Sequence, residues 1–118
     1  MNEYTTTKPW GYEIRFAQNE KYLGKILHIA KGHRLSRQYH ELKDETIMVY
    51  EGTLIMELGT PGTKDFKTRK LHYGDRYRVL PGTVHRFCAP ERTSVTLIEV
   101  STPEIDDVVR LEDDYKRV

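Results

Sequence analysis

The chain has 118 residues, with 19 Lys and Arg against 18 Asp and Glu, a formal net charge of +1 and a single cysteine. That length suits one domain spanning residues 1–118, and the interspersed charges form neither a basic patch for nucleic acid nor the acidic tail of a chaperone-like protein. Cys88 has no internal disulfide partner, no apolar run approaches the ~20 residues of a membrane span, and the start, Met1-Asn2-Glu3-Tyr4-Thr5-Thr6-Thr7, lacks the apolar core of a signal peptide, so a reducing, cytoplasmic setting is expected.

Taken in chain order, β-branched and aromatic residues predict strands over 13–16, 22–30, 37–40, 46–50, 53–58, 67–71, 76–79, 85–89 and 95–100, separated by Gly, Pro, Asn and Asp turns. Many short strands at this spacing argue for an all-β sandwich or barrel, and a double-sheet jelly roll closes most of its edges. Trp10 and Tyr12, before the first predicted strand, suit either a cover over the barrel mouth or packing against a partner subunit. Within 22–30, Lys25 shares a face with Leu27 and Ile29 while His28 takes the other, so only one of Lys25 and His28 can line the interior. Residues 59–65, Gly-Thr-Pro-Gly-Thr-Lys-Asp, form the clearest loop. His33 and His72 fall beside turn glycines and are expected in solvent; Arg86 should face away from His85, and Phe87 should share its side. The acidic segment 103–114 is open to two readings, a short helix starting near Pro103 or a solvated strap.

Chemistry concentrates in two runs. The first reads G-x5-Q-x-H-x4-E-x6-G over Gly32, Gln38, His40, Glu45 and Gly52; the second reads G-x7-G-x2-H over Gly74, Gly82 and His85. Gln38 and His40 are two apart, so on a strand both project to one side. Glu45 enters the next strand after a polar connection, and His85 starts another after the turn made by Pro81 and Gly82. Two imidazoles, one carboxylate and one amide oxygen are a donor set for Zn, Mn, Fe, Co or Ni, with no thiolate among them. Four protein donors on an ion that accepts five or six leave room for substrate, the mark of a catalytic rather than a structural site.

This spacing resembles the two-part motif of the cupin superfamily, G-x5-H-x-H-x3 or 4-E-x6-G followed by G-x5-P-x-G-x2-H-x3-N. Gln38 stands in place of the first histidine, Leu80 in place of the proline and Ala89 in place of the asparagine. Outside the motif, Lys8-Pro9-Trp10-Gly11-Tyr12-Glu13, Leu35-Ser36-x-Gln38-x-His40 and Asp107-Val108-Val109-Arg110-Leu111-Glu112-Asp113-Asp114-Tyr115 look like the C-terminal cupin domain of type II mannose-6-phosphate isomerases. The nucleotidyltransferase domain that often precedes that cupin has no counterpart in this length, so guanylyltransferase activity is not expected.

The resemblance implies one divalent metal on Gln38, His40, Glu45 and His85, a sugar or sugar phosphate as ligand, and a homodimer. It implies interconversion of mannose 6-phosphate and fructose 6-phosphate through a metal-stabilised enediolate. Lys43 is the candidate catalytic residue and Lys25 the candidate substrate-binding residue, with Glu41 also near the ligands in sequence. The chain departs from the family over Glu41-Leu42-Lys43-Asp44, where the family is histidine-rich and carries an arginine before the glutamate; Lys43 keeps the charge but not the planar fork that grips a phosphate. A non-catalytic, metal-containing sugar-binding cupin is the alternative, and an iron-dependent oxygenase a third reading.

Overall fold

A computed structural model describes residues 4–60 and 62–118, and every regular element among them is a β-strand. Residues 1–3 of the presumed non-signal start, and Pro61 of the expected 59–65 loop, lie outside the described residues. The strands are β1 (Thr5–Lys8), β2 (Gly11–Gln18), β3 (Leu23–Ile29), β4 (Arg37–Tyr39), β5 (Glu45–Glu51), β6 (Leu54–Gly59), β7 (Phe66–Leu71), β8 (Arg76–Val79), β9 (His85–Cys88), β10 (Val95–Ser101) and β11 (Val109–Glu112). They form two antiparallel sheets, ordered β1-β2-β3-β10-β5-β8 and β11-β4-β9-β6-β7, the two walls of a jelly roll. No described helix is long and apolar enough to cross a membrane.

β1 and β11 are the strands that the residue pattern leaves out. Each sits at the edge of its sheet and pairs on one side only, β1 with β2 and β11 with β4. The segment 103–114 therefore contains an edge strand and not a helix. Pairing, rather than an apolar face of its own, holds such a strand in place.

Alternation along the central strands sorts one end of the barrel from the other. On β3, Ile29, Leu27 and Lys25 point inward; on β10, Val95, Leu97 and Glu99; on β5, Val49, Ile47 and Glu45. Register keeps these in step, with Leu97 opposite Leu27 and Val49, and Glu99 opposite Lys25 and Ile47. Leu54, Met56, Leu71 and Phe87 of the other sheet complete the apolar end. The polar end opens onto a cavity of about 430 Å³. Trp10 lies in the apolar core and also lines that cavity, covering the barrel from within its own chain, while Tyr12 stacks on His28 across the outer face at a centroid distance of 5.0 Å.

Gly32, Gly52, Gly74 and Gly82 all adopt positive φ, so the motif glycines are turn residues that side chains would strain. They differ in surroundings. A Cβ at Gly52 would collide with the Ser94 carbonyl oxygen, whereas one at Gly74 meets nothing within 4 Å. Gly74→Ala is expected to cost about 1–2 kcal/mol from backbone strain alone, and Gly52→Ala more. Denaturant unfolding of both variants checks this, and equal losses would remove the steric argument.

Candidate metal centre

His40 lies just past β4, Glu45 opens β5 and His85 opens β9. Gly82, in the turn before His85, donates its N–H to the His40 carbonyl at 2.7 Å, which ties the two halves of the motif together. Gln38 on β4 is the register partner of His85 on β9, so the two side chains share the inner face. Gln38, His40 and Glu45 line the cavity. Donor atoms of His40, Glu45 and His85 lie within 4.8 Å of one another, and all three residues are buried.

Hydrogen bonding fixes which nitrogen of each ring faces the centre. His40 Nδ1 donates to the Asp107 carbonyl, and His85 Nδ1 donates to the Thr83 carbonyl at 2.8 Å. A carbonyl can only accept, so both protons sit on Nδ1 and each Nε2 is left for the interior. His40 Nε2 is 3.1 Å and His85 Nε2 3.4 Å from the same Glu45 Oε1. His85 Nε2 is buried with no hydrogen-bond partner. Two imidazole nitrogens crowding one carboxylate oxygen need positive charge among them, either protons or one cation. Imidazole rings held by Nδ1–H bonds to backbone carbonyls, with Nε2 turned to the centre, are the usual outer support of a metal site. The residues fit a divalent ion.

A second carboxylate organises the loop that carries these donors. Asp107 accepts the backbone N–H of Glu41, Leu42 and Lys43 at 3.0, 2.7 and 2.8 Å. Burial raises its carboxyl, but the three N–H donors outweigh that and leave it below the ordinary aspartate value. The same residue thus holds His40 through its carbonyl and the 41–43 loop through its side chain.

The family model described as mannose-6-phosphate isomerase C-terminal matches residues 2–113. The chain belongs to this family. It is 29% identical over 120 residues to the alginate biosynthesis protein AlgA of Pseudomonas aeruginosa, covering 99% of this chain and 24% of that protein. It is 32% identical over 114 residues to the mannose-1-phosphate guanylyltransferase ManC of Salmonella typhimurium, covering 94% of this chain and 22% of that protein. The chain therefore spans about a quarter of the length of these relatives. A sugar phosphate isomerase of the cupin superfamily from Silicibacter pomeroyi superposes with a TM-score of 0.67 at 21% identity, over 77% of this chain and 58% of that one. Its likeness extends to the fold, a double-stranded β-helix.

Around the three donors of this mannose-6-phosphate isomerase-like domain, Lys43 is buried, with Nζ 3.9 Å from Glu45 Oε2 and 3.9 Å from Glu99 Oε2. Lys25, and not His28, faces the cavity, its Nζ 3.3 Å from Glu13 Oε2. Glu41 is exposed and does not line the cavity. Phe87 lies beside His85 with ring centroids 5.2 Å apart, whereas Arg86 turns outward and donates to the Leu35 carbonyl at 2.8 Å. His33 meets the Tyr115 hydroxyl at 2.9 Å, and His72 stands near Thr53.

Glu99, Glu13 and Asp107 are the site residues that sequence reasoning passed over. Burial first, and then the neighbouring Glu45, push the Glu99 carboxyl well above the ordinary glutamate value. For Glu45, burial pulls upward too, but the facing His40 and His85, the Glu99 carboxyl and the Lys43 charge hold it well below that value. The two shifts run in opposite directions because charge on one carboxyl disfavours charge on its neighbour. The signal for Glu99 was present, since it is in phase with Val95 and Leu97.

Asp107→Ala is expected to weaken divalent-metal affinity about 10- to 100-fold, the usual loss when an outer support of a ligand is removed. His40→Ala and His85→Ala should remove tight binding. Calorimetric titration of the metal-stripped protein measures both, and unchanged affinity in Asp107→Ala would overturn the role given to that carboxylate.

Proposed function

We propose that this domain is a metal-dependent aldose-ketose isomerase acting on a sugar phosphate, with mannose 6-phosphate and fructose 6-phosphate as the pair. The convergence of His40, Glu45 and His85 at the polar end of an open cavity carries this reading, in a chain of the mannose-6-phosphate isomerase C-terminal family. Gln38 is the proposed fourth donor. Its Oε1 accepts a hydrogen bond from Ser36 Oγ at 2.6 Å, which orients the amide and leaves a second lone pair.

A divalent ion held by these residues would supply Lewis acidity to the sugar's carbonyl oxygen. The protein's own groups do the rest. Lys43, flanked by Glu45 and Glu99, presents an ammonium group at the cavity wall that stabilises negative charge developing on the sugar oxygens. Lys25, braced by Glu13, offers hydrogen bonds to the sugar. Glu13 is a buried cavity carboxylate outside the proposed ligand set, and we assign it the proton that moves between neighbouring carbons.

The alternative, a sugar-binding cupin without turnover, draws support from Lys43 standing where the family carries an arginine. Metal-loaded protein incubated with fructose 6-phosphate separates the two. Appearance of mannose 6-phosphate, lost in His40→Ala and reduced at least ~100-fold in Lys43→Met, is the expected result. Thermal stabilisation by sugar phosphates with no turnover across a panel would instead establish the binding reading.

We also propose a homodimer. The outer face of the six-stranded sheet carries Phe16, Tyr50 and Val100 at 54%, 51% and 52% exposure, with Ile14, Met48 and Ile98 between them, an apolar surface suited to a second copy. Light scattering should give twice the chain mass, and Val100→Glu should halve it. A wild-type monomer at micromolar concentration would overturn this.

A further inference from the structure

Among the described residues, the lysines and arginines that line the cavity are matched by acids with one exception. Lys25 and Lys8 both contact Glu13, at 3.3 and 3.8 Å; Lys43 stands between Glu45 and Glu99; Arg117 forms a forked pair with Asp113 at 2.8 and 2.9 Å. Arg110 lines the same cavity and has no ion pair among the described residues. Its Nε is buried and has no hydrogen-bond partner. A guanidinium nitrogen removed from water without an acceptor loses solvation that nothing among the described residues returns.

Strand register fixes where this group stands. Arg110 on β11 is opposite Gln38 on β4, and Gln38 is opposite His85 on β9. Side chains directly opposite one another in an antiparallel pair share a face, so Arg110, Gln38 and His85 form a row across the inner wall. Neighbouring strands are about 4.8 Å apart, which puts the Arg110 backbone roughly 10 Å from that of His85. A ligand engaged at His85 through one end would meet Arg110 with its other end.

We propose that Arg110 is the residue that grips the phosphoryl group of the substrate. The inference rests on the sugar-phosphate reading above and adds to it the position of the anion. Guanidinium presents a planar fork that pairs with two oxygens of a phosphate monoester, which an ammonium cannot do. The fork that the 41–44 segment lacks, with lysine at position 43, is thereby supplied from β11, on the opposite side of Gln38.

The test compares wild-type protein, Arg110→Met and Arg110→Lys, all metal-loaded. Inorganic phosphate and mannose 6-phosphate are titrated by calorimetry, unphosphorylated mannose serves as the control ligand, and isomerisation is assayed in parallel. In Arg110→Met, affinity for both phosphates should fall about 10- to 100-fold, the loss of a charge-assisted pair, with metal content and mannose binding unchanged. Arg110→Lys should recover part of that affinity. Where turnover is measurable, the loss should appear in KM for mannose 6-phosphate and spare kcat.

Equal phosphate affinity in wild type and Arg110→Met would overturn the proposal whether or not the protein isomerises sugars. Phosphate binding that depends on Arg110 in a protein with no turnover would sustain it and defeat the isomerase reading alone. Loss of metal or of mannose binding in both variants would mark Arg110 as a structural residue and overturn the proposal as well.

Discussion

Glu45 carries negative charge at 2% exposure, and an isolated ionised carboxylate in such a place is among the costliest things a fold can bury. Its neighbours are arranged around that cost. His40 and His85 direct Nε2 at one of its oxygens, Lys43 lies near the other, and burial together with Glu45 itself pushes the neighbouring Glu99 carboxyl well above the ordinary glutamate value, which lessens the repulsion between the two. Each neighbour is in turn fixed by something further out: His40 by the Asp107 carbonyl, His85 by Thr83, and the loop carrying Lys43 by the Asp107 carboxylate. The centre is therefore stiff because its compensation is layered. Removing any one support exposes the charge to a worse environment instead of merely deleting a contact.

The barrel makes this possible by separating two environments along the same strands. A step of two residues on β10 goes from Leu97, in the apolar core, to Glu99, in the site; the same step on β3 goes from Leu27 to Lys25, and on β5 from Ile47 to Glu45. Register sets Glu99 beside Lys25 on one side and beside Ile47 on the other, with Glu45 one step further along opposite Ser101, so the polar residues gather at one end of the three strands. A one-residue slip of any central strand would carry its charged group to the outer face and replace it with the outward neighbour, Ile26 for Lys25, Ile98 for Glu99 or Thr46 for Glu45. Hydrophobic packing at one end of the barrel thus sets the geometry of the charges at the other.

Most of this was legible in the sequence, for a physical reason. Strand alternation and glycine turns are local, so Gln38 and His40 could be placed on one face and Glu45 and His85 at strand starts before any contact was known; all nine expected strands fall within two residues of their places, and eight of them within one. Lys25 was found by its phase with Leu27 and Ile29. Glu99 obeys the same rule against Val95 and Leu97, but an acid near a strand end reads as a solvent residue unless its phase is followed through. Asp107 could not be read at all, because its role consists of backbone N–H groups gathered 64 to 66 residues away in sequence. Edge strands β1 and β11 escaped for a related reason: TTTK carries no apolar face, VRLE offers only Val109 and Leu111 and leaves the second 48% exposed, and their partners decide their conformation.

Residues 105–117 contribute disproportionately to the site for so short a segment. On its inner side the strap supplies Asp107 to the metal-donor loop and Arg110 to the cavity wall; on its outer side Asp114 takes a forked bond from Arg34 at 2.7 and 2.9 Å, and Tyr115 packs on the core. Asp113 is paired with Arg117, whose guanidinium holds its carboxyl down at about 2, so that local link is lost only as pH falls toward that value. The docking of this one segment therefore underlies both the outer support of the donors and the cavity wall. Any ligand that favours the docked strap must favour the ordered donor loop to the same extent, since the coupling of two sites through a shared element is reciprocal. The proposed metal donors and the proposed anion site thus lean on one segment, and the barrel is the frame that holds it in register.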